Sequence, residues 1–239
     1  MSINRQEQPY AFQERIQVIA LPKKWEQESF TVTFPLPKRE LLPSAKMIFD
    51  FVVSGAGILF SSPLWLLIGA AILIEDGRPI FYRQGRVGKD GKIFYALKFR
   101  TMHENAEEGL GPVQALKNDP RITRIGRILR KTALDELPQL LNILKGEMSF
   151  VGPRPLRPGE ILANQRGERI QLEDVPGFYE RITVTPGLTG LAQVYAPRDI
   201  HHRQKFRYDL LYVKTGSFLL DLKLIVMSFL RTFFGRWEA

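Results

Sequence analysis

The stretch from Arg130 to Pro155, which reads RKTALDELPQLLNILKGEMSFVGPRP, contains the densest set of structural signals in this chain. Two adjacent carboxylates, Asp135 and Glu136, precede a run in which leucine recurs at helical spacing. Proline is tolerated in the first turn of a helix, so Pro138 predicts that the helix begins near Asp135, which becomes a candidate N-cap. The Lys-Gly dipeptide that follows the leucines predicts the end of the helix, about three turns later.

The two carboxylates are expected to have different roles. Neighbouring positions of a helix point about 100° apart, so Asp135 and Glu136 cannot present their oxygens in one direction. The helix dipole favours an ionised Asp135, a phosphate would approach the same terminus, and a metal ion would bridge the two anions. An isolated Asp-Glu pair is more often a cap followed by a solvated glutamate. The residues around the pair therefore decide between these interpretations.

Basic residues flank the acid pair on both sides. Arginine occurs at every third position from Arg121 to Arg130, which predicts a cationic stripe along a helix, although such stripes are usually solvated faces. Downstream, Pro153 and Pro155 restrict the backbone around Arg154, whose planar guanidinium suits phosphate oxygens. Carboxylates between fixed arginines indicate a phosphoryl-transfer site, because the transferring group needs cations and the attacking group needs an oxygen nucleophile.

Three segments of the chain resemble the bacterial sugar transferases that are polyprenyl-phosphate phosphoglycosyl transferases of the monotopic membrane type. They are KFRTM at Lys98–Met102, LDELPQLLNILKGEMSFVGPRP at Leu134–Pro155, and TPGLTGLAQV at Thr185–Val194. An acid pair followed at a fixed distance by a proline-framed arginine is more specific than any of its parts. The likeness covers roughly Ser44 to Phe234, and it implies a catalytic domain preceded by an N-terminal arm.

The resemblance implies transfer of a sugar 1-phosphate from a nucleotide diphosphate sugar, by family habit a UDP-sugar, to polyprenyl (undecaprenyl) phosphate. Asp135 would attack the phosphorus bonded to the sugar, and the lipid phosphate would then displace it. Mg²⁺ near Asp135 would screen the diphosphate, and Glu136 would position the metal or Asp135 itself. Lys98, Arg130 and Arg154 would bind the substrate and stabilise charge on its oxygens. The implied location is the cytoplasmic face of the bacterial inner membrane, as the first membrane step of glycan synthesis.

A long apolar segment precedes these motifs. Met47 to Ile74 carries a single charge and exceeds the ~18 residues that indicate a membrane helix. Ser61, Ser62 and Pro63 interrupt its middle, because proline removes a backbone hydrogen bond and serine hydroxyls are suited to the freed carbonyls. Basic residues flank both ends, which favours a re-entrant helix over residues 46–76 with both ends in the cytoplasm. The resemblance implies the same path, and an ordinary kinked span is the alternative.

A β-hairpin follows the apolar segment. Ile80–Arg83 is predicted to pair with Ile93–Arg100 across a loop that contains three glycines. Strand alternation places Lys98 and Arg100 on one face, opposite the apolar side chains of Ile93, Tyr95, Leu97 and Phe99. Surface charge alone would explain such a pair. The resemblance places Lys98 in the active site, and we extend a substrate-binding role to Arg100.

The C-terminal third gives weaker signals. Thr185–Gly190 indicates a compact turn, and Leu191 stands where most of the resembling proteins have tryptophan. Tyr195–Ile200 also departs from the family pattern, and Arg198 within it is a candidate to contact the nucleotide or sugar. The segments 101–118 and 195–200 are where sugar specificity is expected, although neither contains a guiding motif.

Two further features are open to two interpretations. Asp209 and Tyr212 match an Asp-x-x-Tyr position of the family, which a hydrogen bond on a helix face explains equally well. Phe218–Phe234 is apolar but interrupted by charge, which suits an interfacial helix with Phe234 and Trp237 at headgroup depth, or a core helix. The His201-His202 pair lacks other ligands at metal spacing and indicates a surface position.

Composition limits the class of partner. The 239 residues have a formal net charge of +9, which indicates an anionic partner: nucleic acid, anionic lipid or a phosphorylated substrate. The resemblance favours the lipid and the substrate over nucleic acid. The chain has no cysteine, so disulfides and thiolate metal sites are excluded, in agreement with a cytoplasmic location. Residues 1–45 contain scattered prolines and no apolar signal segment, and they form an arm of unknown use.

These features predict an α+β, mainly helical fold, in which a re-entrant membrane helix, one β-hairpin and interfacial amphipathic helices surround a catalytic helix. The three expected parts are the arm, the membrane helix over 46–76 and the catalytic domain over 77–239. One alternative is a basic membrane protein that binds anionic lipid or nucleic acid and is indifferent to Asp135 and Glu136. Another is a metal-dependent phosphatase that transfers to water. The sugar, the nucleotide base, the glycan pathway and the oligomeric state stay open.

Overall fold

The computed structural model describes residues 43–104, 106, 119–163, 169–197 and 202–233, so most of the predicted N-terminal arm lies outside it. The fold is mixed α/β and mainly helical, as predicted. In chain order, the helices and strands are α1 Pro43–Asp76, β1 Phe81–Val87, β2 Ile93–Phe99, α2 Arg124–Thr132, α3 Gln139–Leu144, β3 Ser149–Val151, β4 Ile161–Ala163, β5 Arg169–Gln171, α4 Phe178–Arg181, β6 Gly187–Thr189, α5 Leu191–Tyr195, α6 His202–Thr215 and α7 Phe218–Phe233.

Helix α1 continues through Pro63, and the predicted role of the serines is confirmed. Pro63 leaves the carbonyl of Leu59 without its usual donor, and the Ser62 hydroxyl donates to that carbonyl at 2.8 Å. The Ser61 hydroxyl donates to the Gly57 carbonyl at 2.6 Å. The Ser62 hydroxyl therefore replaces the missing backbone bond, and the predicted break at Ser62 and Pro63 is not an interruption of the helix.

One side of α1 is apolar and exposed. In the part of the chain that the structure describes, Ala45–Asp76 is the one helix long and apolar enough to cross a membrane. Its exposed large side chains include those of Met47, Phe51, Leu59, Phe60, Leu66 and Ile74. An exposed apolar surface of this extent is typical of a site that contacts lipid or protein.

The opposite side of α1 packs against β2, α2 and the predicted catalytic segment, residues 130–155. Ile68 and Ile72 are buried together with Phe99 and Leu129. Further along, Gly57 faces α3 so closely that an added Cβ would lie 3.2 Å from Cδ1 of Leu140. The small residue in α1 thus lets α3 approach the helix axis, which fixes the catalytic segment against the apolar helix.

The predicted hairpin is confirmed, with β1 and β2 antiparallel and Tyr82 opposite Lys98. The side of β2 that enters the core carries Phe94 and Ala96, which pack on residues of α3, whereas Ile93 and Tyr95 are exposed. Because alternate residues share a face, Lys98 lies on the core side together with Phe94 and Ala96. The hairpin therefore directs the Lys98 side chain towards the catalytic segment.

Two further pairs of short strands were not predicted. β3 lies parallel to β6, with Ser149 opposite Gly187, and β4 pairs antiparallel with β5. The prediction of one hairpin is therefore incomplete, and the segment Thr185–Gly190, predicted as a compact turn, contains a strand. Each of these strands is three residues long, which is too short to show alternation, and the partner of β3 is distant in sequence.

Helix α7 combines features of a core helix and an interfacial helix. Leu224 is fully buried and Asp221 is nearly so, whereas Leu219 and Phe229 are 78% and 67% exposed. The buried side joins an apolar cluster with residues of α5, α6 and β3. The exposed side suits an apolar surface such as a bilayer. Phe234 and Trp237, expected at headgroup depth, lie outside the described residues.

Candidate active site

The acid pair lies in a tight turn that precedes the catalytic helix. Asp135 and Glu136 belong to a 3-10 turn over Leu134–Glu136, which follows Ala133 in the left-handed conformation with a φ of 56°. Helix α3 begins only after Pro138, so the prediction of Asp135 as its N-cap is wrong. The turn lies between the end of α2 at Thr132 and the start of α3 at Gln139. The predicted stop after α3 is confirmed by the glycine at 146, whose φ is 74°.

Lys98 brings the two carboxylates together. Its ammonium Nζ lies 2.6 Å from Oε1 of Glu136 and 3.9 Å from Oδ2 of Asp135. Asp135 is 9% exposed, and the side chains of Lys98 and Glu136 are each 21% exposed. The three residues thus form a half-buried site that is still open to a ligand.

The pKa values of the two acids are shifted in opposite directions. Burial raises the pKa of Asp135, the neighbouring Glu136 raises it further, and the cations of Lys98 and Arg130 oppose that rise. Burial would also raise the pKa of Glu136, but Lys98 and Arg154 outweigh it and lower this pKa to about 2. Glu136 is therefore a fixed anion at neutral pH, whereas the charge of Asp135 depends on its surroundings. This difference agrees with the expectation of separate roles.

Arg154 lies on the other side of Glu136. Its Nη2 approaches Oε1 of Glu136 at 3.3 Å, and half of its side chain is exposed, so the guanidinium is available to an anionic ligand. The Arg154 carbonyl accepts a hydrogen bond from Nη2 of Arg181 at 2.7 Å. Gly152 N donates to the Thr189 carbonyl at 2.9 Å, which ties the Gly-Pro-Arg-Pro turn to β6. Proline rings and these contacts together hold the arginine on a fixed backbone.

Replacing Gly152 by alanine should destabilise this turn. An added Cβ would lie 2.3 Å from the Thr185 carbonyl oxygen and 2.8 Å from Gly187 N, and backbone atoms cannot yield as side chains do. We expect Gly152→Ala to lower the thermal midpoint by about 5 °C or more and to reduce activity. The matched control is Gly85→Ala, since the nearest atom to its Cβ would be at 3.9 Å. An unchanged midpoint for Gly152→Ala, measured in the same detergent, would contradict the close approach.

Arg130 is placed near the site by α2. Its Nε donates to Oγ1 of Thr101 at 2.8 Å, and its charge is close enough to lower the pKa of Asp135. The predicted stripe is only partly helical, because α2 begins at Arg124 after the N-cap Thr123. Arg121 precedes that cap and pairs with a nearby aspartate, so it is not part of the helical stripe.

Arg100 is engaged elsewhere. Its buried guanidinium donates to the carbonyls of Asp76, Gly77 and Arg78 at 2.6–2.8 Å and pairs with the Asp76 carboxylate at 3.0 Å. These contacts hold the C-terminal end of α1, where helix carbonyls lack partners. The substrate-binding role predicted for Arg100 stays a prediction. Arg198 lies outside the described residues.

Two residues that hold the site together were not predicted from the sequence. The buried Asn142 amide donates to the Tyr95 carbonyl at 2.8 Å and accepts from Leu97 N at 3.0 Å, which ties α3 to the strand that carries Lys98. A polar residue within the leucine run was the available signal. Arg86 donates to the Pro155 carbonyl at 3.0 Å, and burial together with Arg154 lowers its pKa to about 10. No pattern in the sequence indicated Arg86.

The carboxylates of this site would hold Mg²⁺ only together with water and substrate phosphates. Among the described residues, no three His, Cys, Asp or Glu side chains are grouped closely enough to hold a metal ion. Mg²⁺ is commonly bound by one or two carboxylates, with water and substrate phosphates completing its shell. Asp135 and Glu136 would supply these carboxylates, since one oxygen of each lies within 3.9 Å of the same atom, Nζ of Lys98.

The buried Asp135 beside Lys98, the anionic Glu136 between Lys98 and Arg154, and the long apolar helix α1 are the features expected of a membrane-associated phosphoryl-transfer enzyme. The chain belongs to the bacterial sugar transferase family, whose model matches residues 42–235.

Relatives with assigned names support this membership. The chain is 40% identical over 196 residues to the exopolysaccharide production protein ExoY of Rhizobium meliloti, covering 76% of this chain and 82% of the relative. It is 40% identical to the UDP-glucose:undecaprenyl-phosphate glucose-1-phosphate transferase of Caulobacter vibrioides, over 81% of this chain and 71% of the relative. Identity to the undecaprenyl-phosphate galactose phosphotransferase of Salmonella typhimurium is 39%, over 75% of this chain and 38% of that protein.

Proposed function

We propose that this chain is a phosphoglycosyl transferase that moves a sugar 1-phosphate from a UDP-sugar to undecaprenyl phosphate. The observation that carries the proposal is the buried Asp135, with Nζ of Lys98 3.9 Å from its carboxylate and with Arg154 3.3 Å from the carboxylate of the neighbouring Glu136. The names of the relatives supply the substrate class, since they act on UDP-glucose or on galactose and on undecaprenyl phosphate. The reaction would begin a membrane glycan, as the relatives named for exopolysaccharide production suggest.

The exchange would occur in two displacements at one phosphorus. An Asp135 oxygen forms a bond to the phosphorus that carries the sugar, and the bond from that phosphorus to the bridging oxygen breaks. Nucleoside monophosphate leaves with the electron pair of that bond. An oxygen of the lipid phosphate then attacks the same phosphorus and releases the Asp135 carboxylate. The product is polyprenyl diphosphate sugar, and the enzyme returns to its starting state.

The other residues of the site would serve this exchange through charge. Lys98 opposes the rise that burial causes in the pKa of Asp135 and, with Arg154, would offset charge on the transferring oxygens. Arg130 contributes from the end of α2. Glu136 stays anionic and fixes Lys98 and Arg154 through contacts at 2.6 and 3.3 Å. Mg²⁺ held by Asp135 and Glu136 would screen the negative charge of the diphosphate.

The reaction would take place at the cytoplasmic face of the bacterial inner membrane, with α1 entering and leaving from that face through a bend at Pro63 within the continuous helix. Cationic residues before and after α1 support this path, because positive charge marks the cytoplasmic flank of a membrane helix. The exposed apolar side chains of α1 and α7 support contact with lipid. This arrangement would place the catalytic turn at the depth of the lipid phosphate.

Cysteine labelling should establish the path of α1, since the natural chain contains no cysteine. We expect Ser44→Cys, before the apolar run, and Lys92→Cys, in the hairpin loop, to react with an impermeant maleimide only from the cytoplasmic side. Inverted vesicles and intact spheroplasts provide the two sides. Labelling of the two positions from opposite sides would show an ordinary span and would contradict the re-entrant path.

Product analysis tests the reaction itself. Protein in nanodiscs would be incubated with Mg²⁺, undecaprenyl phosphate and radiolabelled UDP-glucose or UDP-galactose. We expect label in the lipid fraction and release of uridine monophosphate. Labelled free sugar phosphate without lipid product would indicate the phosphatase alternative, and no turnover with any nucleotide sugar would favour the lipid-binding alternative.

A further inference from the structure

A buried polar cluster joins the first turns of α1 to the strand that leads into the Gly-Pro-Arg-Pro turn. Nζ of Lys46 lies 2.5 Å from Oδ2 of Asp221, 2.9 Å from the Val151 carbonyl and 3.3 Å from the Tyr212 hydroxyl. The Tyr212 hydroxyl lies 2.7 Å from Oδ1 of Asp221 and 3.2 Å from the same Val151 carbonyl. Lys46 of α1 and Tyr212 of α6 therefore converge on one backbone oxygen of β3, and Asp221 of α7 holds both of these side chains.

A second contact fixes the neighbouring residue of β3. The buried Asp50, one turn after Lys46 in α1, accepts a hydrogen bond from Phe150 N at 3.2 Å. The ring of Phe49 meets that of Phe150 edge-on, with centroids 6.0 Å apart. Two successive residues of β3 are thus held by the beginning of α1, directly before the turn that carries Arg154.

The cluster is costly to disturb. Asp221 and Tyr212 are 3% and 5% exposed, and burial raises the pKa of both side chains, whereas Lys46 opposes the rise for Asp221. Removing one member of a buried ionic network leaves its partners desolvated and unpaired. A network of this kind specifies the position of the atoms that it binds. Nothing in the proposed reaction requires these three side chains to touch the substrate.

We propose that Lys46, Tyr212 and Asp221 are positioning residues that hold Arg154 towards Glu136 by fixing the carbonyl of Val151. The inference rests on the proposed function, since it assigns these residues to the same reaction. It also makes the orientation of Arg154 depend on how the beginning of α1 lies in the membrane surface. The active site is thereby coupled to the membrane helix at its N-terminal end.

A double-mutant cycle separates positioning from general stability. Tyr212→Phe removes only the hydroxyl, and we expect it to lower kcat/KM for the UDP-sugar about tenfold in the natural background. In an Arg154→Met background the same change should lower the residual kcat/KM less than about twofold, because the arginine that it positions is gone. Lys46→Arg, which retains the cation, should be less impaired than Lys46→Met. Equal losses from Tyr212→Phe in both backgrounds would overturn the inference.

The matched control is Tyr208→Phe. Tyr208 lies one turn earlier on α6, is buried in the same apolar cluster, and its hydroxyl makes no hydrogen bond that is recorded among the described residues. We expect this variant to keep the natural kcat/KM. An equal loss in both tyrosine variants would show that the apolar cluster, and not the contact with Val151, is what matters.

Amide hydrogen exchange gives a readout that does not depend on turnover. We expect faster exchange at residues 149–152 in Tyr212→Phe and unchanged exchange there in Tyr208→Phe, measured by mass spectrometry in nanodiscs. If the natural protein transfers no sugar phosphate, the proposed function fails, while faster exchange still supports the anchoring of β3. Unchanged exchange in Tyr212→Phe would overturn the anchoring whatever the activity.

Discussion

Asp135→Asn should reduce transfer to undecaprenyl phosphate by at least about a thousandfold, because the amide has no anionic oxygen to attack phosphorus. The natural protein, incubated with radiolabelled UDP-sugar and Mg²⁺ but without lipid, should acquire label that chases into lipid when undecaprenyl phosphate is added. Asp135→Asn should acquire none. Gel separation of labelled protein and extraction of labelled lipid measure the two steps.

The control for this prediction is Asp90→Asn, which changes an exposed aspartate in the hairpin loop and retains a residue type that tolerates its φ of 55°. It should label and turn over as the natural protein does. A natural protein that turns over without detectable label would indicate a short-lived intermediate, so turnover decides in that case. Substantial turnover by Asp135→Asn would remove this residue from the role of nucleophile.

The sequence predicted those elements whose determining residues lie close together in the chain. The hairpin was predictable because two strand-like runs flank a glycine-rich segment, although β1 extends through Gly85 to Val87, beyond the predicted end at Arg83. The hydroxyl contacts at Pro63 were predictable because the donors lie beside the proline that creates the need for them. The position of Asp135 was not, because a left-handed Ala133 and a 3-10 turn depend on where α2 ends and α3 docks. Local propensity gave no sign of that packing.

The local pattern indicated the acid pair and Arg154, whereas Lys98 was placed in the site only through family resemblance. Lys98 and Glu136 are 38 positions apart, and no periodicity links a strand residue to a distant turn. Arg100 shows the limit of strand alternation, because it was predicted to accompany Lys98 but instead holds the end of α1. The contact of Lys46 with Val151 spans 105 positions, so neither a motif nor a period could have indicated it.

Lys98→Met should reduce kcat about a hundredfold and move the acid limb of the pH–rate profile to higher pH. Burial already raises the pKa of Asp135, and the Lys98 cation is the largest effect that opposes this rise. Loss of that cation raises the pKa further, so the ionised nucleophile is lost at a higher pH as the medium is acidified. Profiles of kcat against pH at saturating UDP-sugar measure the shift.

Two control variants, Lys98→Arg and Lys92→Met, separate the effect of the Lys98 charge from effects of side-chain shape and of losing any lysine. Lys98→Arg retains the positive charge and should keep the acid limb near its natural position even where its bulkier guanidinium lowers kcat. Lys92→Met removes an exposed lysine at the start of β2 and should change neither quantity. An acid limb that moves to lower pH in Lys98→Met, or that stays in place while kcat falls, would show that Lys98 does not set the charge of Asp135. Its contribution would then be limited to contacts with the substrate.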